Sequence, residues 1–241
     1  MKLITLNIWG GHVRGKLLEF IKNHQDIDIF CFQEVYHKAQ NKISDEERQV
    51  SLNIFAELET QLPTHRSFFR PVVNDIYGIG MFVKQEVDVL KEGEVNIHHN
   101  PNYQGIGPTH SRILQWLQCR FDSKVHTIMN IHGLWNGMGK TDSPDRISQS
   151  QKIREFVDTI DTPKVLCGDF NLRPDTESMK IIEKGMNNLV QTYNITSTRT
   201  SFYPKAEKFA DYVLTSNVDV IDFKVMDHEV SDHAPLFLEF A

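Results

Sequence analysis

Short apolar runs rich in Ile, Val and Phe, many closed by Gly, Asn, Asp or Pro, recur in an order that few architectures can hold. Leu3 to Ile8 and Ile27 to Gln33 are each followed by a helical stretch. A block of strands comes next: Phe68 to Val73, Ile79 to Lys84, Leu114 to Phe121 and Val125 to Ile131. Val165 to Cys167 follows a helix, and Phe209 to Thr215, Val218 to Val225 and Leu236 to Phe240 close the chain. Helical spacing appears over Gly15 to His24, Asp45 to Leu62, Pro144 to Ile160 and Thr176 to Met186. Ser44 with Glu47 forms a capping box for the second of these, and Ser143 caps the third with proline in its first turn. Strand blocks between helices do not suit a simple alternating parallel sheet. Two mostly antiparallel sheets packed face to face, with helices outside, suit them better. No Pro/Gly/Ser linker, repeat or low-complexity tract divides residues 1–241, so one α/β domain is expected.

The charge balance narrows the partners. A formal net charge of −6 argues against an unassisted grip on nucleic acid, since Lys and Arg on phosphates usually supply that affinity. It leaves room for a local basic rim or for a metal. Cys31, Cys119 and Cys167 each lie inside a strand-like run, without CxxC spacing, and are expected to be buried reduced thiols. The opening MKLITLNIWGG is too short an apolar run for a signal peptide, and no stretch approaches a membrane span in length. A cytoplasmic monomer without a membrane anchor is the expectation.

Polar residues interrupt the ends of these strands. Asn7 precedes IWGG, Glu34 follows IFCFQ, His132 follows IMNI, and Asp169 and Asn171 follow VLC in KVLCGDFNLRPDT. Asp211 sits in FADYVLTS, and Asp232 with His233 in VSDHAPL. Taken one at a time, each is accounted for as a turn residue or a satisfied buried polar group. Together they are carboxylates, carboxamides and imidazoles at strand ends, with no Ser or Cys in a nucleophile setting. Hard cations such as Mg²⁺ prefer oxygen ligands of this kind, and histidines can carry protons or donate to an anionic oxygen. The inventory suits metal-assisted hydrolysis of a phosphate ester.

LNIWGG, FQEV, NIHGLW, CGDFN, ADYVL and SDHAPL, in that order, resemble the endonuclease/exonuclease/phosphatase superfamily. The resemblance implies a four-layer αββα sandwich. It also implies that Glu34 holds Mg²⁺, with Mn²⁺ the alternative, and that Asn7 and Asp232 bind or order the metal directly or through water. Asp169 matches the residue that orients or deprotonates the attacking water, with Asn171 beside it. His233 with Asp211 matches a His–Asp pair that serves as donor or base. His132 matches a phosphate-contacting histidine where abasic-site endonucleases carry tyrosine. The expected activity is hydrolysis of a phosphodiester or phosphomonoester, on a small molecule or a nucleic acid. The alternatives are a nuclease acting on DNA or RNA and a catalytically silent binding module of the same fold.

Other features read as bystanders. GLWNGMGKT resembles a phosphate-binding P-loop, but Gly133 stands one position too early, so it is read as a glycine-rich loop beside the cleft with Trp135 and Asn136. His98-His99 reads as surface and Phe68-Phe69 as core. Arg146 and Gln149 read as helix-start and packing residues, with a phosphate clamp by Arg146 as the alternative.

Overall fold

The computed structural model describes residues 1–40, 42–43, 50–105, 107–121 and 123–241. Two parallel strand pairs organise it. In the first sheet β1 (Lys2–Asn7) runs parallel to β2 (Ile29–Tyr36), and α1 (Arg14–Asn23) makes the crossover that parallel neighbours require. α2 (Ile54–Gln61), β3 (His65–Val73) and β4 (Tyr77–Lys84) follow. In the second sheet β5 (Asp88–His98), β6 (Arg112–Phe121) and β7 (Lys124–His132) form a meander. β7 then runs parallel to β8 (Lys164–Asp169) across α3 (Pro144–Asp158). α4 (Glu177–Glu183), β9 (Asn187–Asn188), α5 (Leu189–Thr192), β10 (Asp211–Ser216), β11 (Val220–Val225) and β12 (Leu236–Phe240) complete the chain. The strand orders are β11-β12-β1-β2-β4-β3 and β5-β6-β7-β8-β10-β9, and all pairings other than the two parallel ones are antiparallel.

Central strands that are apolar on both faces need cover on both faces, and the alternation along β1 and β2 shows how it is provided. Leu3, Ile29 and Cys31 share one core with Leu117, Ile128, Val165 and Cys167 of the second sheet. Their neighbours Ile4, Leu6, Phe30 and Phe32 pack with Leu17, Phe20 and Ile21 of α1 and with Phe55 of α2. On the far side, Ile153 and Val157 of α3 and Met179 and Ile182 of α4 are buried in the larger core. This is the αββα sandwich. All three cysteines are buried and free.

A polar seam crosses the interior at the end of the sandwich where β1, β2, β7 and β8 finish. Gln33 Nε2 donates to Asn130 Oδ1 at 2.7 Å, and Asn130 Nδ2 donates to the carbonyls of Phe32 and Gly80. Gln115 Nε2 donates to Phe68 O at 2.8 Å. Each bond joins one sheet to the other, and Gln33 and Asn130 lie one and two residues before Glu34 and His132.

The structure departs from the sequence reading in two places. The helix expected over Asp45 to Leu62 spans Ile54–Gln61, and the capping box of Ser44 and Glu47 lies outside the described residues. The strand Asp88–His98 was not expected, because it is an edge strand in which exposed Lys91, Glu92 and Glu94 fall on both faces and hide the alternation. Among the described residues, no helix is long and apolar enough to cross a membrane.

Candidate active site

Asn7, His132 and Asp169 are the last residues of their strands, and the parallel register sets His132 directly beside Asp169. Two glycines make this approach possible. A Cβ on Gly168 would lie 2.1 Å from Ile131 O, and one on Gly133 would lie 2.2 Å from Phe170 O. Glu34 sits at a register shift in β2 with φ +59°, a bulge that re-aims its side chain. Asp211 opens β10 opposite Asp169. Asp232 and His233 precede β12, and His233 is bridged to Arg199.

Glu34, His132, Asp169, Asp232 and His233 line a cleft of about 530 Å³, and Asn7 and Asp211 reach it through the hydrogen bonds they make to these residues. The orientation of Asn7 is fixed by its backbone: its Oδ1 accepts from Trp9 N at 3.0 Å, which turns Nδ2 toward the acids. Nδ2 donates to Glu34 Oε1 and Asp169 Oδ2, both at 3.0 Å. His132 Nε2 lies 3.7 Å from Glu34 Oε1 and 3.8 Å from Asp169 Oδ2. His233 Nδ1 donates to both carboxylate oxygens of Asp211 at 2.8 Å, leaving Nε2 3.7 Å from Asp169 Oδ2. Thr198 Oγ1 donates to Asp211 Oδ2 at 3.2 Å and steadies the pair.

The Asp169 turn is both a turn and part of the cleft. Asn171 N donates to Asp169 Oδ1 at 2.8 Å, and Asn171 takes a left-handed φ of +52° that asparagine tolerates. Both side chains reach the cleft through this turn, not through strand alternation, because the strand ends at Asp169. Asn171 Nδ2 is held by Gly133 O at 3.2 Å.

Electrostatics split the like groups. Burial holds the Glu34 carboxyl above its ordinary range despite the Asn7 hydrogen bond. Burial acts the same way on Asp169, but His233, Lys140, His132 and Arg199 together outweigh it and hold that carboxyl well below the usual range. His132 is kept neutral by burial and by the Arg112 charge. His233 is buried too, yet Asp211, with Asp169 and Asp232, raises its pKa. The two imidazoles are thus pushed in opposite directions, His132 toward its neutral form and His233 toward its protonated one, the kind of divergence that assigns acid and base roles.

Among the described residues, Glu34, His132 and Asp169 bring ligand atoms within 4.8 Å of one another, as do Asp169, Asp211 and His233. Glu34 and Asp169 present carboxylate oxygens with only an amide between them, a donor set that fits a hard divalent cation. Asn7 and Asp232 stand beside these carboxylates. Asn7 Oδ1 accepts from Trp9 N, and its Nδ2 bridges the two acids. Asp232 Oδ2 accepts from Arg199 Nη1 at 3.2 Å.

Sequence reading missed the cleft's cations. Arg112 is buried, with Nε and Nη1 free of partners, and Lys140 and Arg199 stand on the Asp169 side. Lys140 lies in the glycine-rich stretch that the sequence places beside the cleft, whereas nothing in the local sequence marks Arg112 or Arg199. Trp135 lines the cleft as expected. Arg146 is no phosphate clamp: its guanidinium donates to the carbonyls of Leu134, Gly139 and Thr141. Gln149 Oε1 accepts from Leu134 N, and Phe68 and Phe69 pack against the cores.

A fold of two such sheets with carboxylates and histidines at one edge defines a phosphoesterase-type sandwich. A model of the endonuclease/exonuclease/phosphatase family matches residues 4–233, and the chain belongs to that family, whose members are hydrolases of phosphate esters that generally use a divalent metal. No sequence match is found among curated proteins. Among solved structures, an endonuclease/exonuclease/phosphatase from Bacteroides vulgatus superposes with TM-score 0.75 at 19% identity, covering 100% of this chain and 98% of that one. The mannosyl-6-phosphatase of Bacteroides thetaiotaomicron gives 0.70 at 18%, covering 100% and 99%. A humanized D. rerio TDP2 gives 0.75 at 16%, covering 100% and 98%. At these identities the likeness is one of fold.

Proposed function

We propose that residues 1–241 act as one catalytic unit, a Mg²⁺-dependent phosphoesterase that hydrolyses a phosphodiester or phosphomonoester by attack of water. The convergence of Glu34, His132, Asp169 and the His233–Asp211 pair on one cleft carries this reading. Glu34, with Asp169 in reach, would hold the cation, which when bound supplies positive charge to the phosphate and the leaving oxygen. Asn7 keeps the two carboxylates at a fixed separation. Asp169, ionised at neutral pH, accepts a hydrogen bond from the attacking water and orients it. His233, its Nδ1–H held by Asp211 and its protonated form favoured by that carboxylate, donates from Nε2–H to a phosphate oxygen when it carries the second proton. His132 stays neutral and offers a hydrogen bond rather than a charge. Asn171 and the buried Arg112 line the same space.

A cleft of about 530 Å³ is the size of a small-ligand pocket, and with the acidic chain it favours a small organic phosphate over a long polyanion. The test is hydrolysis of a mixed panel with Mg²⁺ or with chelator: plasmid and tyrosyl-linked DNA, RNA, phospholipid, and nucleotide and sugar phosphates. Turnover of the small esters that needs Mg²⁺ and disappears in Asp169→Ala is expected. Turnover confined to nucleic acid would replace this reading with the nuclease. Folded protein that binds Mg²⁺ and turns over nothing would favour a binding module.

A further inference from the structure

The glycine-rich stretch GLWNGMGKT delivers a cation into the cleft. Lys140 is 3% exposed, and its Nζ has no hydrogen-bond partner. A buried ammonium with every donor unused is costly, and a folded chain carries one where something else covers the charge. The loop holds it rigidly. Arg173 N donates to Lys140 O at 2.9 Å, and the carbonyls on either side, Gly139 and Thr141, both accept from the buried Arg146 guanidinium. Gly139 adopts φ +72°, which turns the chain just before the lysine.

A second cation completes the wall. Arg199 stacks its guanidinium 3.9 Å from the Tyr203 ring centroid, and Lys140 Nζ lies 5.5 Å from the same centroid. Arg199 uses Nη1 on Asp232, while its Nε has no partner and its side chain is 5% exposed. Among the described residues, Lys140 forms no ion pair; Asp169 is the acid it feels most strongly, followed by Asp211 and Asp232. Arg112 lines the same cleft, with Tyr77, Glu34 and Asp169 as its nearest charge partners. The cleft thus holds three cations with unused donors, more than one phosphate can satisfy.

We propose that Lys140, with Arg199 and Tyr203, forms a subsite for a second anionic group of the substrate, beside the phosphate that is cleaved. The substrate class is then a compact organic phosphate that carries a further phosphate. This rests on the phosphoesterase reading.

The experiment uses inorganic pyrophosphate and orthophosphate as probes, with chelator present and the full chain, read by calorimetry and by thermal melting. Wild-type protein is expected to bind pyrophosphate more tightly than orthophosphate. Lys140→Met keeps the apolar stem and removes the charge. It should weaken pyrophosphate at least tenfold and abolish the preference, while the unliganded protein melts at a higher temperature. A lower melting temperature with the preference intact would make Lys140 structural and overturn the proposal, as would wild-type protein that shows no preference. If Lys140→Met does not fold, Lys140→Gln is read by the same two measures. Neither readout needs turnover, so a protein that hydrolyses no ester still decides the subsite separately.

Discussion

His110 gives the sharpest quantitative consequence of the cleft's burial. It lines the cleft at 6% exposure, donates Nδ1–H to Ser111 O at 2.8 Å, and sets its ring edge-on to Tyr77 and Tyr103. Burial, and then the Arg112 charge, push its pKa from 6.5 down to about 3. The unfolded chain therefore takes up a proton near pH 6.5 that the folded chain refuses until about pH 3. Between those values the unfolded state binds more protons, so stability is full at neutral pH and falls as the medium is acidified. The loss is about 1.4 kcal/mol per pH unit, or about 2 kcal/mol at about pH 5, with a ceiling of about 5 kcal/mol. His110→Phe keeps the ring and removes the titration. Urea unfolding of both proteins at about pH 7.5 and about pH 5 isolates the effect, because the other histidines with lowered pKa values are common to both. Wild type should lose about 2 kcal/mol more than the variant between the two conditions. Equal losses would refute the account.

Two further substitutions probe the seam and the site. Asn130→Leu removes a carboxamide that joins Gln33 to the carbonyls of Phe32 and Gly80, so urea denaturation should show a loss of about 2–4 kcal/mol. A loss below about 1 kcal/mol would mean the seam contributes little beyond apolar packing. Asn7→Ala frees the Glu34 and Asp169 carboxylates from their shared donor and should weaken Mg²⁺ binding about 10–100-fold in a calorimetric titration. An unchanged Mg²⁺ isotherm would remove Asn7 from that role.

The parts of the molecule legible in the sequence were those where a local pattern survives. Val165-Leu166-Cys167 followed by Gly-Asp reads as a buried strand reaching an edge, and the structure ends β8 at Asp169. The α3 start was legible because Ser143 accepts from Arg146 N with Pro144 in the first turn. Edge strand β5 was not, since Asp88, Lys91, Glu92 and Glu94 face water and break its apolar pattern. The convergence of polar strand ends was readable as a list, but not as a geometry. Which way the Asn7 amide points depends on Trp9 N, and the pairing of Asp232 depends on Arg199, thirty-three residues away. Lys140 was visible only as the lysine of a glycine-rich loop beside the cleft; that its ammonium lacks a partner is a fact of the fold.

Glu34 hangs from the first sheet and Asp169 from the second, with Asn7 reaching across between them. Neither sheet owns the site, so it comes into existence only when the two have docked. Whatever grips both carboxylates is a rivet through the seam: a ligand at a hundred times its Kd adds about 2.7 kcal/mol to the docked state. Ligand affinity and the docking of the two sheets are then linked, so a mutation that loosens their contact is expected to weaken binding as well.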